Sequence, residues 1–196
     1  KEIAAGEEEA CEKLMYALVL SGLAMQMTGN SRPASGAEHH LVHLWDMEVV
    51  NGHLDALHGE KVSAGTMLVL LEYKKIADAI RKGNCKVHTC TEEDRELLQS
   101  TFGKKGILGA IEKENTPELL DDVSTKELSD TLPGILKIID ALPAVTDMQE
   151  MMNTAGCVSR VRDIGLPGEV IEESLRLAPY TRRRLSLLRL RKMLTY

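Results

Sequence analysis

The segment from Glu60 to Lys82 constrains this chain more than any other. Val62, the run Met67 to Leu71 and Ile76 make it the most apolar stretch of the sequence. A run of this length, closed by Lys82-Gly83-Asn84, exceeds an ordinary strand and predicts a helix. A helix with so wide an apolar surface belongs at the centre of a body of other helices. Gly65 leaves room there for one of them to approach closely. Hydrophobic residues make up 43% of the chain but aromatics only 3%, so the core must be built from Leu, Ile, Val, Met and Ala. No period-two run of strand length accompanies them, which excludes a β-sandwich or barrel. The expected fold class is all-α, a multi-helix bundle.

The remaining elements follow from spacing and punctuation. Ile3, Cys11, Leu14, Met15, Leu18 and Met25 recur at helical spacing behind an acidic, solvated run Glu7 to Glu9, and Thr28-Gly29-Asn30-Ser31 stops that helix. Ser35 with Glu38 three residues on reads as a capping box for a helix from Gly36 to about Val50, in which Trp45 is a core residue. Thr91 with Asp94 starts a further helix by the same logic. CKVHTC before it reads as a connecting loop with His88 at the surface, and residues 103–122 as short helical pieces. A helix over Glu127 to Ala141 should be interrupted or kinked at Pro133-Gly134. Pro143 suits the first turn of the next, which stops at Gly156. The last stretch, IGLPGEVIEESLRLAPYTRRRLSLLRLRKML, reads as two helices meeting at Pro179. The second would dock by its leucines and expose a basic face from the six cations between Arg182 and Lys192.

A formal net charge of −6 disfavours nucleic acid as a partner, since phosphate backbones need a concentrated positive field. Cys11, Cys85, Cys90 and Cys157 form no C-x-x-C pair, so reduced thiols in a cytoplasm are expected. No apolar run reaches the ~20 residues that a membrane span needs. The chain opens without a methionine and reads as the interior of something longer.

Five of the six histidines crowd into Arg32 to Thr66, RPASGAEHHLVHLWDMEVVNGHLDALHGEKVSAGT. Four residues apart on one helix, His39 and His43 share a face, while His40 turns roughly 100° away. If the Glu60 helix packs antiparallel, His58 returns to the level of His39. Two imidazoles on neighbouring helices need only one carboxylate to complete a three-ligand catalytic zinc site. H-x-x-x-H here lacks the glutamate of H-E-x-x-H, which argues against a zinc protease.

SRPASGAEHHLVH followed by HGEKVSAGT resembles the glycerol-1-phosphate dehydrogenase family. The HGEKV block is shared with the wider group of glycerol dehydrogenase, iron-containing alcohol dehydrogenases and dehydroquinate synthase, and SRPASG-x-EH is the more specific string. The resemblance covers nearly the whole chain. It implies that residues 1–196 are the helical, metal- and substrate-binding C-terminal domain of a dehydroquinate synthase-like enzyme, whose N-terminal nucleotide-binding domain lies outside this chain. It further implies reduction of dihydroxyacetone phosphate to sn-glycerol 1-phosphate by NADH or NADPH, in a homo-oligomer. His39 and His58 would hold a divalent metal, zinc or else nickel or iron, and His43 would contact substrate. The third ligand, an aspartate, would lie upstream of Lys1, and no G-x-G-x-x-G turn occurs in the chain, so it should not catalyse alone. Alternatives are another polyol dehydrogenase, a dehydroquinate synthase-like enzyme, or a helical metal-binding or interaction module without chemistry.

Overall fold

The computed structural model of the chain describes residues 1–90 and 94–196. Its elements are α1 (Glu8–Thr28), α2 (Ala37–Asp46), α3 (His58–Arg81), α4 (Arg95–Phe102), α5 (Leu108–Glu114), α6 (Thr125–Asp140), α7 (Val145–Thr154), α8 (Ile171–Leu177) and α9 (Leu187–Leu190). Short 3-10 turns link several of them, and one small antiparallel pair joins β1 (Lys86–Val87) to β2 (Leu194–Thr195). The all-α expectation holds. Among the described residues no helix is long and apolar enough to cross a membrane.

The apolar segment is α3, and it is the central element. It buries Ala64, Gly65, Met67, Leu68, Val69, Leu70, Ile76, Ala77 and Ala79, and packs against α2, α6 and α7. Its first half joins Leu41, Val42, Leu44 and Trp45 of α2 in one core with Phe102, Leu175 and Leu188. Its second half, through Ile76, meets Leu128 and Leu132 of α6 with Met193 and Leu194 in another. Trp45 is 1% exposed, and its indole N–H donates to Ser174 Oγ at 3.1 Å, so its polar tip is satisfied in the core. A Cβ at Gly65 would stand 3.2 Å from the backbone oxygen of Glu38, so glycine is what lets α2 lie against α3 here.

Several boundaries differ from the sequence reading. Ser35 does not cap α2. Gly36 takes the N-cap position with no side-chain cap, Glu38 Oε1 accepts the Gly36 N–H at 2.7 Å, and the Ser35 carbonyl receives Arg184 Nη1 at 2.6 Å. α2 also stops at Asp46, short of Val50, because Asn51 Nδ2 donates to Trp45 O and Glu48 turns into the left-handed region at φ 51°. The cap assigned to Thr91 lies outside the described residues.

α6 runs unbroken through Pro133, whose ring is on the exposed side, with Leu128, Leu132 and Ile139 buried opposite and Ser124 capping the start. Pro143 lies just before α7, whose N-cap is Ala144. CKVHTC is more than a loop, since it contains β1, and the half-buried His88 donates its N–H to Met193 O at 2.9 Å.

The C-terminal stretch departs most. Pro179 sits in a 3-10 turn after α8, Arg182 is extended, and α9 is only four residues long. The expected helix with a basic face does not form: the last three cations find acids within the protein, while Arg183 and Arg184 rest on carbonyls and Arg182 stays exposed. Arg189 is 1% exposed and pairs with Glu118, Arg191 bonds the buried Glu72 at 2.6 Å, and Lys192 lies 3.3 Å from Asp94.

Candidate functional site

α2 and α3 run antiparallel, with Glu38 beside Gly65 at one end and Asp46 bonded to Lys61 Nζ at 2.6 Å at the other. Between these ends the rings of His39 and His58 come together, centroids 5.7 Å apart and planes tilted by 55°. This is the juxtaposition that the sequence spacing anticipates.

Each imidazole has a carboxylate at its Nδ1. For His39 it is Glu38 Oε1 at 2.8 Å, and for His58 it is Asp46 Oδ2 at 4.0 Å. For His39 the hydrogen-bonded carboxylate favours the proton on Nδ1, which leaves the Nε2 lone pair free and raises its basicity, whereas the 4.0 Å approach of Asp46 to His58 is too long for a hydrogen bond. Burial pushes the Glu38 carboxyl up, but hydrogen bonds from His39 and from the Gly36 and Glu38 backbone outweigh it, so Glu38 is held below the usual carboxylate range. It is therefore ionised at neutral pH, as an orienting acceptor must be. Two paired imidazoles, His39 partly buried and His58 exposed, suit a borderline divalent cation such as zinc. Among the described residues no three His, Cys, Asp or Glu side chains are gathered into a metal site.

His43, one turn beyond His39, is half-buried. Burial lowers its pKa first, and Arg182, His39 and His58 lower it further against the pull of Asp46. It is therefore neutral at neutral pH, with a nitrogen to give and one to accept. His53 stands apart, exposed and hydrogen-bonded to Glu48 at 3.0 Å. His40 is turned from the pair, as the helical angle requires, and is 1% exposed.

The orienting role of Glu38 and the place of Asp46 escaped the sequence reading, which weighed Glu38 as a helix cap against a catalytic residue or third ligand and did not single out Asp46. The signals are there. Glu38 immediately precedes His39, and Asp46 falls seven residues after it, two turns on along the same face of α2.

Comparison with known proteins supplies the family. The chain is 34% identical over 188 residues, 95% of its length, to glycerol-1-phosphate dehydrogenase (NAD(P)+) of Halalkalibacterium halodurans. It is 29% identical over 178 residues, 90% of its length, to the enzyme so named from Geobacillus stearothermophilus. A shorter match, 41% identical over 80 residues, is to the one so named from Pyrococcus horikoshii. The chain spans 39% and 37% of the length of the first two and aligns with their C-terminal part. No family model matches, and no solved structure does. On the identity and extent of these matches, the chain belongs to the glycerol-1-phosphate dehydrogenase family.

Proposed function

We propose that this chain is the metal- and substrate-binding helical part of an NAD(P)-linked dehydrogenase that reduces dihydroxyacetone phosphate to sn-glycerol 1-phosphate. The observation that carries the reading is the His39 and His58 ring pair at 5.7 Å with Glu38 and Asp46 behind it. The activity for which the relatives are named supports the choice of reaction.

His39 and His58 would hold the cation through Nε2, with a carboxylate from a region outside this chain as third ligand. When bound, the cation supplies Lewis acidity at the ketone oxygen while hydride arrives from the nicotinamide of a separate nucleotide-binding domain. Glu38 keeps His39 in the ligating tautomer and orientation. Asp46, 4.0 Å from His58 and tied down by Lys61, gives that ring a nearby negative charge without a hydrogen bond. His43, neutral and on the same face as His39, hydrogen-bonds the substrate and can donate the proton that the reduced oxygen needs.

The test separates ligands from the substrate contact. In the protein joined to its nucleotide-binding region, His39→Ala and His58→Ala should lose metal and dihydroxyacetone phosphate-dependent NAD(P)H oxidation together. His43→Ala should keep most of the metal and lose turnover or substrate affinity. A His43→Ala protein as empty as His39→Ala would make His43 a ligand and overturn its assigned role.

A further inference from the structure

On the His40 side of α2 lies a cavity of about 410 Å³ whose lining includes Arg32, Ser35, His40, Arg183 and Arg184. His39, His43 and His58 do not line it. In a chain of net charge −6, three arginines face one space, and among the described residues none of them has a carboxylate partner. Two of the guanidiniums are held by neutral acceptors: Arg184 by Ser35 O and Ser31 Oγ, at 2.6 and 2.9 Å, and Arg183 by Pro117 O at 2.9 Å. Among the described residues the Arg32 side chain makes no hydrogen bond of its own. The nearest acid acting on this group, Glu38, is already committed to His39 and the Gly36 N–H.

His40 is the second, independent observation. It is 1% exposed, lines the cavity, and neither of its ring nitrogens has a hydrogen-bond partner among the described residues. A buried polar ring with no partner is rare in a folded protein, because losing water without replacement costs the full desolvation of the group. A neutral imidazole has one ring N–H to donate. A cation is ruled out by the arginines. What satisfies all of these donors at once is an acceptor-rich anion at the start of α2, where the helix dipole also favours negative charge.

We infer that Arg32, Arg183, Arg184 and His40 form a binding site for a phosphate-class dianion, on the His40 side of α2. Guanidinium forks match the tetrahedral oxyanion, and the imidazole N–H gives the site a buried floor. The same chemistry is offered by free inorganic phosphate and by the phosphate end of a small phosphorylated ligand.

The experiment titrates inorganic phosphate, with chloride as the control ion, into the full 196-residue chain. It follows the heat of binding and the ring nitrogen resonances of His40 and His43. Phosphate should shift the His40 ring. Arg32→Gln, which removes no hydrogen bond within the protein, should leave the thermal unfolding in chloride unchanged while weakening phosphate binding about tenfold or more. Glycerol phosphate then distinguishes the sources. Shifts at His40 alone mark an independent phosphate site, and shifts at His40 and His43 together mark the phosphate end of a ligand that reaches the histidine pair; either supports the site. A His40 ring that does not respond to millimolar phosphate or glycerol phosphate, or equal affinity in the wild type and Arg32→Gln, overturns it.

Discussion

Gly65→Ala is expected to destabilise the protein although alanine is the better helix former. In the interior of α3 the exchange gains about 1 kcal/mol of intrinsic helix propensity. Against this, the new Cβ would stand 3.2 Å from Glu38 O and 3.7 Å from Glu38 Cα and Cβ. The first contact is with backbone, so α2 must move by a few tenths of an ångström, and overpacking of this kind costs ~1–3 kcal/mol. The steric effect wins, leaving a net loss of about 1 kcal/mol, which for a chain of this size lowers Tm by roughly 2–4 °C. Gly134→Ala is the matched control. It lies in α6, where a Cβ would meet nothing within 4 Å, so only propensity acts and the protein should gain ~0.5–1 kcal/mol. Urea and thermal unfolding of both variants read the comparison. The displacement in Gly65→Ala also moves Glu38, so it should weaken zinc binding, which Gly134→Ala should leave untouched. If Gly65→Ala stabilised the protein as much as Gly134→Ala, α2 would not be seated on α3 as described.

Glu38→Gln should lower zinc affinity by roughly 10–100-fold, the usual effect of losing a hydrogen-bonded partner behind a histidine ligand, as read by competition with a chromophoric chelator. Arg191→Met, which leaves the 2%-exposed Glu72 without its guanidinium, should cost about 3 kcal/mol in urea unfolding. Stability should also fall in acid. Burial raises the Glu72 carboxyl, but the Tyr196 hydroxyl, Arg191 and Lys75 outweigh it and hold it below its usual range, and Asp94 is likewise held down, against burial, by Arg176, Lys192 and Tyr180. Carboxylates lowered in the folded state stabilise fully above their unfolded values near 4, and that contribution is lost as pH falls through the folded ones. Glu72→Gln should flatten this acid limb in a pH series of unfolding midpoints; an unchanged limb would place the acid sensitivity elsewhere.

The central helix and the histidine pair were legible because both rest on periodicity. A run of apolar residues as long as Val62 to Ile76 has few other solutions, and residues four apart on a helix must share a face. Gly65 was legible for the same reason, since a lone glycine inside so apolar a helix marks a close neighbour. What the spacing could not supply was the competition for each side chain. Ser35 and Glu38 have the pattern of a capping box, yet Glu38 bonds Gly36 and His39 while Arg184, 149 residues away in sequence, holds the Ser35 carbonyl. The terminal basic residues looked like an exposed helix face because nothing local reveals Glu72, Asp94 and Glu118, the acids that draw Arg191, Lys192 and Arg189 inward. α1 illustrates the converse. Its helical spacing was read correctly, but only Ala10 is buried, while Met15, Tyr16 and Leu18 are all more than half exposed.

The claim on which the account stands is that His39 and His58 are metal ligands through Nε2. X-ray absorption at the zinc edge, on the zinc-loaded protein, tests it most directly. Imidazole nitrogens at ~2.0–2.1 Å should dominate the first shell, with the multiple scattering of two rings, and His39→Ala and His58→Ala should each remove one ring from the signal. A sulfur shell near ~2.3 Å, or a ring count unchanged by either substitution, would contradict it.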